Sequence, residues 1–357
     1  MPIIDADTHV DETEDTWDYM AAEDLPFKPA YARSETGRGH YWIIDGKRQR
    51  RRVRSDANTG TTKGTRELMD VPARLRHMDQ LGVDVHVIYP TVFLTEFTTR
   101  PEIELALRRG YNRWLADRTG QSPEARRRLR WAVLPPLLSM DKALEELRWA
   151  KDNGACGVLK KGDKEAGYWP AEEYFFPLYQ EAERLDMTIC FHIGGGLPDF
   201  TPARQFSHVG FMQLNAPLMN AFHSLISHNV PARFPKLRFA FVENGASWVP
   251  YCVYKLQRTK ERRQFSEAIG GPDYELGQDV LRDNRFYVTC QVDEDVPYLL
   301  RCAGEDNLMA GSDYAHSDPS QEGNFVARLQ EWAARGEIQA EVTDKILWAN
   351  PKACYGL

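Results

Sequence analysis

The chain has 357 residues, of which 42% are hydrophobic and 27% charged, proportions that suit a folded protein with a substantial core. Its net charge of −7 disfavours a nucleic-acid-binding protein, which carries a basic balance or a basic face. No apolar run approaches the roughly 20 residues that cross a bilayer, so no membrane partner is expected either. The first residues lack the basic and apolar segments of a signal peptide, and the six cysteines form no CxxC pair. We therefore expect a reduced, cytoplasmic protein.

Short apolar runs alternate with amphipathic stretches along the chain, which is typical of a parallel sheet covered by helices. Eight runs are predicted strands, at residues 3–9, 83–89, 131–134, 157–159, 188–192, 237–242, 285–288 and 308–313. Helices are predicted at residues 71–81, 142–151, 176–185 and 218–229, with Asp141 as the N-cap of the second of these.

Several of these strands end in polar or glycine-rich segments, such as Asp-Thr-His in the first and Gly-Ser-Asp in the last. In a (β/α)8 barrel, the carboxyl ends of the strands and the loops that follow them form the active-site face. We therefore predict an α/β protein built as a single (β/α)8 TIM barrel over residues 1–357. A doubly wound open sheet is the competing architecture, but no GxGxxG motif follows the first strand, and the three glycines at 194–196 lack its spacing.

Residues 20–70 interrupt the alternation with a largely polar insertion after the first strand. Within it, Asp45-Gly46 separates an apolar run at 41–44 from a basic run at 47–54, and Asp-Gly between two strand-like runs is a strong hairpin signal. We expect a β-hairpin beside the barrel mouth that serves as a lid or a subunit contact. Its arginines are expected to form a solvated face, the alternative being that one of them reaches a substrate carboxylate.

Acidic and imidazole side chains recur at the ends of the predicted strands. Asp7 and His9 are two residues apart on the first strand, so both side chains point to the same face, which is the interior at a barrel mouth. His192 ends the fifth strand, and Asp313 ends the eighth. Each pattern is common by itself. Together they converge on one mouth and supply what an open catalytic metal site needs.

The segment Ile4-Asp-Ala-Asp-Thr-His9 resembles the first-strand motif of the amidohydrolase-related family, which includes aminocarboxymuconate-semialdehyde decarboxylase and γ-resorcylate decarboxylase. The similarity continues in order at residues 84–91, 111–116, 157–159, 191–194, 233–238, 243–248 and 311–316. The resemblance implies a divalent metal ion, usually zinc or manganese, whose ligands would be Asp7, His9, His192 and Asp313. Many relatives have a histidine where this chain has Asp7, and the extra oxygen ligand shifts the preference towards manganese or iron.

Relatives often carry a histidine at the end of the sixth strand, where this sequence has Glu243. Its carboxylate is a candidate catalytic base if burial raises its pKa, and the alternative is a structural role. His316, three residues after Asp313, is the second candidate catalytic residue, which would orient substrate or transfer a proton. The candidate substrate-binding residues of the pocket wall, each with packing as the alternative, are Arg204, Trp248 and Tyr314.

The resemblance implies an enzyme that acts on a small, carboxylate-bearing substrate by hydrolysis or by non-oxidative decarboxylation. One alternative is a non-heme metal-dependent oxygenase with a related partner subunit, and another is a catalytically silent metal-binding partner subunit. In binuclear amidohydrolases a carbamylated lysine at the end of the fourth strand bridges two metals. Lys160 and Lys161 lie there, although adjacent lysines are usually solvated. We expect a homo-oligomer, with a hetero-oligomer of related subunits as the alternative.

Overall fold

A ring of eight parallel strands forms the centre of the protein. The computed structural model describes residues 1–35, 39–194, 211–262, 274–317 and 319–357. The strands of this part of the chain are β1 (Ile4–His9), β2 (Ala30–Arg33), β3 (His40–Ile44), β4 (Lys47–Arg50), β5 (Val85–Tyr89), β6 (Leu129–Val133), β7 (Ala155–Lys161), β8 (Thr188–His192), β9 (Phe239–Val242), β10 (Phe286–Cys290) and β11 (Leu308–Ala310). β1 and β5 to β11 form the ring, each pairing in parallel with the next.

Helices follow the ring strands along the chain and cover the outside of the barrel. In the described residues they are α1 (Asp56–Thr59), α2 (Lys63–Arg66), α3 (Val71–Leu81), α4 (Pro101–Thr119), α5 (Pro123–Arg128), α6 (Met140–Asp152), α7 (Phe176–Arg184), α8 (Ala216–Ser227), α9 (Val230–Arg233), α10 (Val249–Glu261), α11 (Val280–Asn284), α12 (Val296–Ala303), α13 (Phe325–Ala334), α14 (Ala340–Asp344) and α15 (Asn350–Tyr355). Within these ranges, none of the helices combines the length and the apolar composition that crossing a bilayer requires.

The ring closes between β1 and the segment that follows β11. The backbone N–H of His9 donates to the carbonyl of Tyr314 at 2.8 Å, and the N–H of Asp313 donates to the carbonyl of Asp7 at 2.9 Å. Gly311 permits this approach, because a Cβ at that position would lie 2.4 Å from the Cβ of Asp7. The closure therefore places the ends of the first and last ring strands side by side, which confirms the predicted (β/α)8 barrel.

The predicted hairpin is present, and its turn has the expected geometry. Asp45 and Gly46 both have positive φ, at 49° and 71°, as a two-residue type I′ turn requires. β3 pairs antiparallel with β4 and, on its other side, with β2, so the insertion is a three-stranded sheet. Trp42 fixes this sheet to the loop after β1 through an edge-to-face contact with Trp17, with 5.7 Å between the ring centroids.

Element boundaries show where the sequence prediction needed correction. The helix predicted to begin after Asp141 begins at Met140 with Ser139 at the N-cap, so Asp141 lies in the first turn, where its charge favours the helix dipole. The strand predicted at residues 157–159 extends over Ala155–Lys161, whereas the one predicted at 308–313 ends at Ala310. Asp313 therefore lies in the loop beyond the strand rather than at its last position.

Candidate metal centre

Six ionisable side chains converge at the carboxyl-terminal mouth of the barrel, and all of them are buried. They lie on β1, at the end of β8, just after β9 and in the loop after β11. Their ligand atoms form two overlapping groups, and within each group all the atoms lie within 4.8 Å of one another. The first group contains Asp7, His9, His192 and Glu243, and the second contains His9, Glu243, Asp313 and His316. The structure thus brings together all four predicted metal ligands and both predicted catalytic residues.

Backbone carbonyls orient the two histidines of the first group. Nδ1 of His9 donates to the Pro90 carbonyl at 2.9 Å, and Nδ1 of His192 donates to the Ile193 carbonyl at 2.8 Å. Nε2 of each ring has no hydrogen-bond partner and faces the cluster, as does Oδ1 of Asp7. An imidazole whose Nδ1–H is held by a carbonyl presents its Nε2 lone pair in a fixed direction, which is how proteins orient histidine ligands to metals.

The spacing of these atoms matches a metal shell. Nε2 of His9 lies 3.3 Å from Oδ1 of Asp7 and 3.3 Å from Oδ1 of Asp313. Nε2 of His192 lies 3.5 Å from Oδ1 of Asp7 and 3.1 Å from Oε2 of Glu243. Ligands about 2.0–2.1 Å from one ion in a tetrahedral shell are about 3.3 Å apart. The nitrogen and oxygen donors present here therefore fit a divalent transition-metal ion.

The imidazoles of the cluster keep Asp7 ionised without a metal. Burial lowers the pKa of His192, but the negative charges of Glu243 and Asp7 outweigh it and raise that pKa to about 9. Burial raises the pKa of Asp7, but the imidazoles of His192 and His9 hold it well below its usual range. Burial lowers the pKa of His9 to about 4, so this ring is neutral at pH 7. An entering metal ion would displace the proton of His192.

The backbone is strained where two of the carboxylates enter the cluster. Glu243 has φ 62° and Asp313 has φ 51°, which is the left-handed region that residues other than glycine rarely adopt. The hydroxyl of Ser320 lies 2.8 Å from Oε1 of Glu243 and 3.1 Å from Oδ2 of Asp313, so one side chain spans both carboxylates. Glu243 is thus placed as a candidate metal ligand, a role that was not expected from the sequence.

His316 is fixed from the side opposite to the cluster. The hydroxyl of Thr91 donates to the Val10 carbonyl at 2.7 Å, so its oxygen accepts from Nε2–H of His316 at 2.9 Å. The ring stacks on that of His9 with 3.8 Å between centroids, and its Nδ1 lies 2.7 Å from Oδ1 of Asp313. Thr91 was not identified from the sequence, because its role depends on a contact between residues that are more than 200 positions apart.

Two of the three predicted wall residues, Trp248 and Tyr314, occupy packing positions. The Trp248 indole donates to the Gly245 carbonyl and packs against Phe222. The ring of Tyr314 lies 3.7 Å from the guanidinium of Arg74, which in turn donates to the His9 carbonyl at 3.1 Å. These placements favour a packing role for Trp248 and Tyr314, which was the alternative to substrate binding for both residues. The third predicted wall residue, Arg204, lies outside the described residues.

Both lysines at the end of β7 are buried, so the expectation that they are solvated was wrong. Nζ of Lys160 forms an ion pair with Oε2 of Glu165 at 2.8 Å and lies over the ring of Phe175. Nζ of Lys161 has no hydrogen-bond partner and lies 3.8 Å from Oδ1 of Asp163. Burial raises the pKa of Asp163 to about 6.

One arginine of the insertion, Arg54, does not lie on a solvated face, so that expectation was wrong for this residue. Arg54 is buried, and its Nη1 donates to Oδ1 of Asp11, two residues beyond His9 on the chain. Its Nη2 has no hydrogen-bond partner. The other basic side chains of this run include Arg48 and Arg50, which are exposed as expected.

A (β/α)8 barrel whose active-site mouth gathers histidines and carboxylates in this way defines a metal-dependent barrel enzyme. The chain belongs to the amidohydrolase family, whose model matches residues 4–357. The resemblance inferred from the sequence is therefore confirmed, and the protein is an enzyme of the hydrolase or carboxy-lyase type.

Solved structures share the fold across most of the chain. An amidohydrolase of Mycobacterium avium subsp. paratuberculosis is 18% identical with a TM-score of 0.80, and the match covers 99% of each chain. A 2,6-dihydroxybenzoate decarboxylase of Rhizobium is 18% identical with a TM-score of 0.60, covering 79% of this chain and 87% of that one. A 5-carboxyvanillate decarboxylase of Novosphingobium aromaticivorans, solved with manganese and 4-hydroxy-3-methoxy-5-nitrobenzoic acid, is 18% identical with a TM-score of 0.64 and covers 80% and 79% of the two chains. At these identities the likeness shows the fold alone.

Proposed function

We propose that the protein is a divalent-metal-dependent enzyme that converts a small, carboxylate-bearing substrate by non-oxidative decarboxylation or by hydrolysis. The observation that carries this proposal is the convergence of Asp7, His9, His192 and Asp313, with two Nε2 lone pairs fixed towards the same point. A divalent ion held there supplies Lewis acidity, which stabilises negative charge as it develops on an oxygen atom. Manganese, zinc and iron all suit nitrogen and oxygen donors, and the two carboxylates favour manganese or iron.

Arg54 is the proposed recognition group for the substrate carboxylate. Asp11 holds its Nη1, and its Nη2 is buried without a hydrogen-bond partner. A guanidinium can donate two parallel hydrogen bonds to a carboxylate, and a buried one does so with little competition from water. The role suggested by the sequence, an arginine of the insertion that reaches the substrate, is thus assigned to this residue.

Glu243 and His316 are the proposed proton-transfer groups. Nδ1 of His316 lies 2.7 Å from Asp313 and 3.9 Å from Oε1 of Glu243, so a proton can be shared among these three side chains at the edge of the cluster. In decarboxylation, such a group delivers a proton to the carbon that loses CO2. In hydrolysis, it accepts a proton from the attacking water.

Each of the two reactions has one observation in its favour. Decarboxylation is favoured by the structural neighbours, two of which are decarboxylases of hydroxylated benzoates. Hydrolysis is favoured by Glu243, a carboxylate of the cluster that can act as a general base towards water. Incubation with hydroxybenzoates and measurement of released CO2, alongside acid release from the corresponding esters and amides, distinguishes the two.

Metal content tests the centre itself. We expect at least one Mn²⁺, Zn²⁺ or Fe²⁺ ion per chain in the wild type and a marked loss of bound metal in His192→Ala. The matched control is His223→Ala, the same substitution at a partly buried histidine on α8. Metal content that is unchanged by His192→Ala would refute the site.

Substrate recognition is tested once a substrate is found. We expect Arg54→Gln to raise KM at least tenfold and to retain metal, whereas Arg50→Gln, at an exposed position at the end of β4, should change neither. Equal effects of the two substitutions would exclude the assignment of Arg54.

A further inference from the structure

We propose that Glu294, in the loop after β10, is a positioning residue for the metal centre, because it holds the strained turn that directs Glu243 at His192. This inference rests on the proposed metal-dependent function and concerns how one candidate ligand is held in place. Glu243 is the first residue after β9, and its φ of 62° is a left-handed conformation that only glycine adopts without steric cost. Such a conformation persists only where the surrounding structure enforces it.

The carboxylate of Glu294 accepts hydrogen bonds from three backbone N–H groups. Oε1 accepts from the N–H of Ser247 at 2.6 Å, and Oε2 accepts from the N–H of Gln291 at 2.8 Å. The N–H of Ala246 lies 2.9 Å from both oxygens. Two of these donors belong to the turn that follows Glu243, and the third belongs to the loop that carries Glu294. The carboxylate therefore joins the turn after the sixth ring strand to the loop after the seventh.

The turn and this carboxylate lie in close contact. Gly245 has φ 59°, and a Cβ at its position would lie 2.8 Å from Oε1 and 3.1 Å from Cδ of Glu294. Three hydrogen bonds hold the carboxylate, so it cannot move away to make room for a larger residue. The carbonyl of Gly245 accepts from the indole of Trp248 at 2.8 Å, which fixes the turn on its C-terminal side. The turn is thus built around the side chain of Glu294.

A second side chain of the seventh ring strand holds Glu243 itself. The backbone N–H of Glu243 donates to the hydroxyl of Thr289 at 3.0 Å, and Thr289 lies on β10 and is buried. Thr289 and Glu294 therefore hold the turn at both of its ends. Held in this way, Glu243 places Oε2 3.1 Å from Nε2 of His192. Groups that orient a metal ligand change metal affinity by about 10–100-fold when they are substituted.

Glu294 acts on the backbone of the turn and supplies no ligand atom. It belongs to neither of the two donor groups at the mouth, and both of its oxygens accept from backbone N–H groups. An amide has only one oxygen, so Glu294→Gln must direct its NH2 group at a backbone N–H of the turn or of Gln291. That donor loses its acceptor, and the turn is no longer held in the conformation that directs Glu243 at the cluster.

The test is a double-mutant cycle on the affinity for Mn²⁺, measured by calorimetric titration of the metal-depleted, full-length protein with MnCl2. We expect Glu294→Gln to weaken binding by about tenfold or more. In a protein that already carries Glu243→Ala, the same substitution should change the affinity by less than about twofold, because the side chain that it positions is absent. The control is Glu183→Gln, which removes a carboxylate that accepts the N–H of Lys236 at the amino-terminal end of the barrel and should bind Mn²⁺ like the wild type.

A second pair of variants serves if Glu294→Gln does not fold. Thr289→Val removes the acceptor for the N–H of Glu243, whereas Thr289→Ser keeps a hydroxyl at the same place. We expect Thr289→Val to weaken Mn²⁺ binding by about tenfold and Thr289→Ser to stay within about twofold of the wild type. A general loss of stability would not follow this order, and thermal unfolding of each variant in EDTA measures such a loss separately.

The outcomes separate this inference from the proposed function. Wild-type affinity in Glu294→Gln would overturn the positioning role and leave the metal-dependent function standing. Equal losses with and without the carboxylate of Glu243 would overturn the claim that Glu294 acts through it, as would wild-type affinity in Glu243→Ala. No bound metal in the wild type would overturn the proposed function together with this inference.

Discussion

The contact that closes the barrel predicts that one added methyl group disables the metal centre. A Cβ at Gly311 would lie 2.4 Å from the Cβ, 2.9 Å from the backbone N and 3.1 Å from the Cα of Asp7. Non-bonded carbon atoms are most stable about 3.5–4.0 Å apart, so Gly311→Ala must separate β1 from the end of β11 by about 1 Å. None of the opposing atoms lies at the end of a flexible side chain, and no rotamer change can relieve the contact.

The expected size of the effect follows from this geometry. Overpacking in a well-packed interior typically costs about 1–3 kcal/mol. The entropy of unfolding is about 2.1 cal/mol/K per residue, which is about 0.75 kcal/mol/K for 357 residues. The unfolding temperature of the metal-free protein should therefore fall by about 1–4 °C. The same displacement separates Asp7 from Asp313, whose backbone groups are joined by a 2.9 Å hydrogen bond, so we expect metal affinity to fall by about 10–100-fold.

Calorimetric titration with MnCl2 and thermal unfolding in EDTA measure the two effects separately. The matched control is Gly323→Ala, where an added Cβ would meet no atom within 4 Å and the backbone is not left-handed. We expect this control to bind Mn²⁺ like the wild type. A Gly311→Ala protein whose metal affinity stays within twofold of the wild type would refute the argument that this contact positions Asp7.

Three further predictions concern charged groups. Lys160→Met leaves Glu165 buried without its ion-pair partner and should lower the free energy of unfolding, measured with urea, by about 3–5 kcal/mol. The double variant Lys160→Met/Glu165→Gln should show a clearly smaller decrease. Burial raises the pKa of Glu12 from 4.5 to about 8. The folded state therefore holds a proton that the unfolded chain releases, and the stability of the metal-free protein should fall as the pH rises from about 5 to 8, less so in Glu12→Gln. If the stability of Glu12→Gln depended on pH as steeply as that of the wild type, the raised pKa of Glu12 would not be the cause. EDTA should lower the unfolding temperature of the wild type but leave that of His192→Ala unchanged, because only a protein that binds metal is stabilised by it.

Most of the fold could be predicted because ring strands are buried on both faces and appear in the sequence as continuous apolar runs. The strand at Thr188–His192 was predicted with both of its ends correct. The last ring strand was predicted to continue to Asp313 but ends at Ala310. The polar segment at residues 311–313 was counted as the end of the strand, but the chain leaves the sheet where Gly311 closely approaches Asp7. A contact between residues so far apart in the sequence produces no recognisable pattern in the residues around either of them.

The site was predictable to the extent that it depends on the direction of strands. Asp7, His9 and His192 could be placed together because the carboxyl ends of parallel strands meet at one mouth. The ligand position of Glu243 could not be predicted, because it depends on a left-handed backbone that the sequence does not reveal. The burial of Lys160 had a weak signal in Glu165, five residues away, which becomes its ion-pair partner.

The strained backbone at Glu243 and Asp313 indicates that these two carboxylates serve in ligand binding. Glu243 and Asp313 both lie just beyond ring strands with positive φ, and each left-handed residue other than glycine costs about 1–2 kcal/mol. A glycine at either position would adopt the same backbone without steric cost, but it would supply no oxygen to the cluster. Packing does not account for these side chains, since both are directed at His9, His192 and His316 rather than at apolar neighbours. The simplest physical explanation is that ligand binding at this point offsets the strain, as it does where strained residues cluster in functional sites.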